Sequence, residues 1–152
     1  MSKAGPTAAC GHEQRQVARL IQCGQRLRRR YALGAMRVGE PGLRVLLDEH
    51  ALTLAMMMKS WARLLVVAAP VPVVESLVER LIDWQVVGLR HDDARWIAYL
   101  VRCEERFLVK VERLAAATGE PCATLLRRDL PRLRGIDQDM HQLAHGERWQ
   151  SP

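Results

Sequence analysis

The chain has 152 residues, 49% of them hydrophobic and 26% charged, and a formal net charge of +6. That length supports a single domain with a core of its own, and the composition is that of a globular protein rather than a disordered or membrane one. The longest uncharged run, 64–74, falls short of the roughly 20 residues that span a bilayer and contains Pro70 and Pro72, so no membrane-spanning helix is expected.

Residues 1–11 lack periodicity and are read as a tail, with no apolar stretch that could act as a secretion signal. A cytoplasmic protein of bacterial type is the expectation, with one domain over 12–146 and a second tail at 147–152. A first helix is predicted over 13–38, with Val17, Leu20, Gly24, Leu27, Tyr31, Gly34 and Val38 on one stripe. Glycine costs helix propensity, so Gly24 and Gly34 on that stripe point to close approach of a neighbouring helix. The turn Gly39-Glu40-Pro41-Gly42 ends the helix, and so short a connection makes the next helix an antiparallel neighbour.

The second helix, expected over 43–69, carries a heptad seam of Leu43, Leu47, His50, Leu54, Met57, Trp61, Leu64 and Ala68, interrupted only by His50. Of the run Met56-Met57-Met58, only Met57 falls on the seam. Pro70 and Pro72 forbid continuation. A shorter amphipathic helix over 73–89 follows, with Val74, Leu77, Leu81, Trp84 and Gly88 inward, and His91-Asp92-Asp93 breaks and recaps the chain. The third long helix, 93–117, has the seam Ile97, Leu100, Glu104, Phe107, Val111, Leu114, whose one flaw is the carboxylate of Glu104. Gly119 closes it. The last helix, 121–144, places Leu126, Leu133, Ile136, Met140 and Leu143 inward, and Pro131 predicts a kink or break within it.

If the short helix packs back along the second, the third long helix starts at the same end as the second and runs parallel to it. The architecture is then two antiparallel hairpins joined by a long crossover, an all-α four-helix bundle with an extra short helix in the crossover. Depth along the helices puts Tyr31, His50 and Glu104 at one level, with Asp137 within about a turn. A buried charge is costly unless paired. Two readings of this layer follow: a hydrogen-bonded network in which Glu104 accepts from His50 and Tyr31 and sets helix register, or a site for one iron, manganese or zinc ion. His141 and His145, at i,i+4, form a second candidate metal clamp near the C-terminal end.

Cys10, Cys23, Cys103 and Cys122 have no metal-ligand spacing and read as free thiols. Arg26, Arg28, Arg29 and Arg30 form a candidate anion-binding run, and Arg127, Arg128, Arg132 and Arg134 a second basic cluster. Without aromatic residues between them for base stacking, a solvated helix face is the plainer reading, and binding of nucleic acid or an acidic partner the weaker alternative. No phosphate loop, nucleophile elbow or Cys–His pairing is present. No catalytic residues are therefore assigned.

The runs Arg29-Arg30-Tyr31-Ala32, Glu40-Pro41-Gly42-Leu43-Arg44-Val45-Leu46-Leu47-Asp48-Glu49, Leu81-Ile82-Asp83-Trp84, Cys103-Glu104-Glu105 and Leu130-Pro131-Arg132-Leu133-Arg134-Gly135-Ile136-Asp137-Gln138-Asp139-Met140 resemble a bacterial family of ferritin-like four-helix-bundle proteins of unassigned function. The resemblance covers residues 13–146 and implies the ferritin-like fold without an established activity. Within the wider superfamily, di-metal centres use a Glu from each of two helices and Glu-x-x-His from each of the others. This chain departs from that pattern: Tyr31 stands where a Glu is expected, Glu49 and His50 are adjacent and point about 100° apart, and only Glu104, with Asp137 and His141, remains. A complete di-iron site is not expected. The resulting expectation is a non-enzymatic bundle acting through protein association, with itself or another protein, or in stress physiology by superfamily analogy, and without a cofactor. A degenerate single-metal site is the alternative.

Overall fold

The computed structural model describes residues 6–65 and 92–146, with side chains from residue 11 onward in the first segment. Four helices form among the described residues: α1 (Pro6–Arg37), α2 (Pro41–Ala62), α3 (Asp93–Ala117) and α4 (Cys122–His145). No described residue is in a strand. The short helix expected over 73–89 lies outside the described residues.

The helix boundaries follow local chemistry. Between α1 and α2, Glu40 caps α2 by accepting a hydrogen bond from the Leu43 amide, and Pro41 opens the helix where its missing N–H is not needed. The N-cap of α3 is Asp92, whose Oδ1 accepts from the Arg95 amide at 3.1 Å. α3 ends at Thr118, whose hydroxyl bonds the Leu114 carbonyl at 2.9 Å, one residue before the expected Gly119.

Three boundaries differ from expectation. α1 begins at Pro6 rather than residue 13, because Thr7-Ala8-Ala9 can extend a helix without contributing to its apolar stripe. α2 ends at Ala62 instead of 69: the amides of Arg63, Leu64 and Leu65 each bond back three residues, tightening and closing the last turn before the prolines are reached. α4 runs through Pro131 without a break.

In the four described helices the buried face follows the predicted stripe. All seven positions of the first stripe are buried, six in α1 and Val38 just past its end, as are the α2 seam from Leu43 to Trp61 and the α3 seam from Ile97 to Leu114. Two of the three α1 glycines, Gly24 and Gly34, mark close approaches. A Cβ on Gly24 would lie 2.2 Å from the Met58 Sδ, so Met58 is buried by filling the glycine notch although it lies off the seam. A Cβ on Gly34 would lie 3.3 Å from both Leu47 and Leu100.

α1 packs on α2 and α3, and α4 packs on α3 and α2, so the helices form a ring with α2 and α3 diagonal. Gly34 lies against Leu47 and Gly24 against Met58, which makes α1 and α2 antiparallel. α1 and α3 are antiparallel as well: the Gly39 and Glu40 amides donate to the Asp93 carboxylate at one end, and the Gly119 amide donates to Glu13 at the other. α2 and α3 therefore run in the same direction. α2 ends, and α3 begins, at opposite ends of the bundle.

Candidate functional site

Three heptads in this bundle carry one polar residue each: His50 on α2, Glu104 on α3 and Asp129 on α4, all buried. They form two separate polar clusters rather than one layer.

The first cluster centres on Glu104, which is fully buried. Its Oε2 accepts a hydrogen bond from the Tyr31 hydroxyl at 3.2 Å, while Oε1 has no hydrogen-bond partner. One phenol does not replace the water a carboxylate loses on burial. Burial accordingly raises the Glu104 pKa to about 8, the Tyr31 hydrogen bond lowers it in part, and the Asp137 charge raises it further. At neutral pH Glu104 is a neutral acid. The Tyr31 hydroxyl, also buried beside a carboxyl group, is pushed well above its ordinary pKa.

His50 stands beside the same tyrosine, edge to face, with ring centroids 5.7 Å apart. It does not bond Glu104, contrary to the network expected from the seams. Its Nε2 faces Asp139 on α4 at 3.7 Å, beyond hydrogen-bond length. Burial lowers the His50 pKa, opposed by the charges of Asp139 and Glu49. The ring is thus neutral at pH 7, and the Asp139 contact is not an ion pair there. Spacing sets the level and direction of a side chain but leaves its rotamer open, and here the imidazole turns to α4.

Asp137 lies about one turn from the level of Glu104, since Glu105 meets His141 and Met140 is the buried α4 residue beside it. It is tied to His141 instead. The His141 Nδ1 donates to the Asp137 backbone carbonyl at 2.8 Å and lies 3.4 Å from its Oδ1, and Nε2 donates to Glu105 on α3 at 2.7 Å. With both nitrogens facing oxygen acceptors, the imidazolium is favoured and the His141 pKa is raised, first by the backbone bond and then by Glu105. His145 stacks on His141, centroids 6.3 Å apart. Among the described residues, no three His, Cys, Asp or Glu side chains converge as metal ligands.

The second cluster was missed by sequence reasoning. The Trp61 indole donates to Asp129 Oδ2 at 2.8 Å, and Arg128 covers the other oxygen at 3.1 Å while also reaching Ser60 on α2. The signal was a gap: between Leu126 and Leu133 the α4 seam skips a heptad position, and Asp129 fills it.

The arginine run does not act as one patch. Arg26 and Arg30 point to a groove between α1 and α3; Arg28 bonds Gln25 at 2.9 Å, and neither Arg28 nor Arg29 lines that groove. The C-terminal run is spent largely on carboxylates, with Arg127 on Glu120, Arg128 on Asp129 and Arg134 on Glu112. Cys23, Cys103 and Cys122 are free thiols, and burial raises the Cys122 pKa. Among the described residues, no helix is long and apolar enough to cross a membrane.

No family profile, curated protein or solved structure matches this chain.

Proposed function

We propose that the protein is a non-enzymatic helical bundle of ferritin-like topology that works by association with a second copy of itself through the outer face of α2. The observation that carries this reading is an apolar stripe left in solvent: Val45, Leu52 and Met56 are 59%, 63% and 58% exposed. At spacings of seven and four they lie within about 40° of one another around the helix. With Glu49 between Val45 and Leu52, these three large side chains put apolar surface on one outer face that a second copy can cover.

The charges flanking the stripe favour a two-fold partner. Asp48 and Glu49 lie toward the start of α2, Lys59 and Arg63 toward its end, and all four are exposed. An antiparallel pairing that sets Leu52 on the partner's Met56 sets these acids opposite the partner's bases, on both sides of the axis, which is the self-complementarity a two-fold interface requires. The parallel course of α2 and α3, with the resemblance noted above, supports the ferritin-like reading of the fold. Sedimentation analysis tests the association: the wild type should dimerise in the micromolar range, and Leu52→Glu with Met56→Glu should stay monomeric with unchanged helicity. A wild type that remains monomeric at about 100 μM overturns it.

A second reading, a single iron, manganese or zinc ion in the bundle, draws on the unpartnered His50 Nε2 and Glu104 Oε1. Metal analysis of protein purified without tag or chelator decides it. Stoichiometric metal that Glu104→Gln loses favours this reading, and equal metal content in both proteins removes it.

A further inference from the structure

α2 carries three methionines in a row, Met56 to Met58, and successive residues on a helix turn through about 100°, so the three face different ways. Met57 and Met58 are 2% and 0% exposed, and Met140 on α4 is 0% exposed. Met56 is 58% exposed and stands in the outer row with Val45 and Leu52. Met36 is 78% exposed but belongs to a different helix, α1. Burial thus withholds three thioethers from dissolved oxidants and leaves Met56 open, on the face through which the chain is proposed to pair.

The pairing puts Met56 where a change of polarity counts. With Leu52 set on the partner copy's Met56, the two-fold axis crosses α2 midway between Leu52 and Met56, and each Met56 lies about 3 Å from it along the helix. One interface therefore holds two thioethers, each covered by a leucine side chain that has no hydrogen-bond donor. A thioether is apolar and pliant and suits such a contact. Its sulfoxide is polar, and a sulfoxide oxygen covered by leucine gives up its water without a replacement hydrogen bond.

We propose that Met56 is an oxidation site for hydroperoxides that governs the self-association of the chain, an inference that rests on the α2 pairing proposed above. The Met56 sulfur attacks one oxygen of hydrogen peroxide, and an S–O bond forms as the O–O bond breaks. The departing hydroxide takes the proton from the sulfur-bound oxygen and leaves as water, so the sulfide is oxidised by two electrons and the peroxide reduced by two. Because pairing covers Met56, the oxidant reaches it in the monomer, and the sulfoxide then keeps the monomer from pairing.

Sedimentation of the wild type before and after hydrogen peroxide tests the proposal, with oxidised residues located by peptide mass spectrometry. Dithiothreitol added once the peroxide is removed returns cysteine disulfides to thiols and leaves sulfoxides in place. Met56 should be oxidised ahead of Met57, Met58 and Met140, and more slowly as protein concentration rises through the range of dimerisation, whereas the rate at Met36 should not change. The dissociation constant of the oxidised wild type should rise at least about thirtyfold, a factor of about five or more for each of the two sulfoxides. Met56→Leu should dimerise and keep its dimer through the same treatment, and Met56→Gln, with an amide of similar length, should be weakened without peroxide. A dimer that persists with Met56 oxidised, an equal peroxide-induced loss in Met56→Leu, or oxidation of Met56 no faster than of Met57 would each overturn this inference and leave the α2 pairing standing. An untreated wild type that is monomeric removes the pairing and this inference with it.

Discussion

Replacing Glu104 with glutamine should change how stability responds to pH more than it changes the fold. The carboxyl group is raised from about 4.5 to about 8 because it is fully buried with one phenolic donor. For a group raised on folding, the unfolded chain gives up its proton first. The stability linked to Glu104 is therefore complete below pH 4.5 and is lost as pH rises toward 8. At 1.36 kcal/mol per pH unit the displacement amounts to about 5 kcal/mol, of which about 3 to 4 kcal/mol disappears between pH 5 and pH 8. Glutamine has nearly the shape of the neutral acid and still offers an oxygen to the Tyr31 hydroxyl. Urea unfolding at intervals from pH 5 to pH 8 is the assay, read as the difference between variant and wild type so that His50 and His141 contribute equally to both. Glu104→Gln should be close to wild type at pH 5 and more stable by a few kcal/mol at pH 8. Parallel curves across that range would show that Glu104 ionises normally, and the account of its burial would fail.

Asp129→Ala should cost about 1 to 3 kcal/mol in urea unfolding, because it leaves the indole N–H of the fully buried Trp61 without its acceptor. Arg128→Ala, at a side chain 59% exposed, should cost under about 1 kcal/mol; equal costs would refute the priority given to the indole bond. Two of the helix glycines, Gly24 and Gly135, should respond to alanine in opposite directions. Gly135→Ala meets nothing within 4 Å and should stabilise by about 0.5 to 1 kcal/mol, whereas Gly24→Ala drives a Cβ into the buried Met58 and should destabilise by about 1 to 2 kcal/mol. A thermal-melt series in which both variants stabilise would mean that the α1–α2 contact at Gly24 is loose.

The buried faces were legible because a 3.6-residue period is enforced wherever a helix meets a core. The stripe from Val17 to Val38, the seam from Leu43 to Trp61 and the seam from Ile97 to Leu114 are buried position for position, while Leu64 is partly buried and Ala68 lies outside the described residues. Partners were less legible. His50 and Glu104 were placed correctly in depth, yet Glu104 met only Tyr31, and His50 turned to Asp139, an acid whose side chain is 52% exposed and therefore leaves no mark on any apolar pattern. Asp129 was hidden in a skipped heptad position, which reads as a weak stripe until a donor such as Trp61 is known to face it. Helix ends were the least legible. Prolines at 70 and 72 set only a limit, and α2 stops earlier through its own tightened final turn.

The same limit applies to charge. Four arginines in a run, Arg26 to Arg30, suggest one basic patch, but successive residues on a helix turn through about 100°, and the structure sends Arg26 and Arg30 one way and Arg28 another. Charge is balanced across helices instead: Arg127, Arg128 and Arg134 meet Glu120, Asp129 and Glu112 around α4. α1 and α3 are joined at their ends by Glu13 to Gly119 and Asp93 to Gly39, and between these by Tyr31 to Glu104. The α1–α3 seam is thus held by carboxylates at its two ends and by one buried phenol between them, contacts of single polar side chains, with amides or with each other, that no helical period announces.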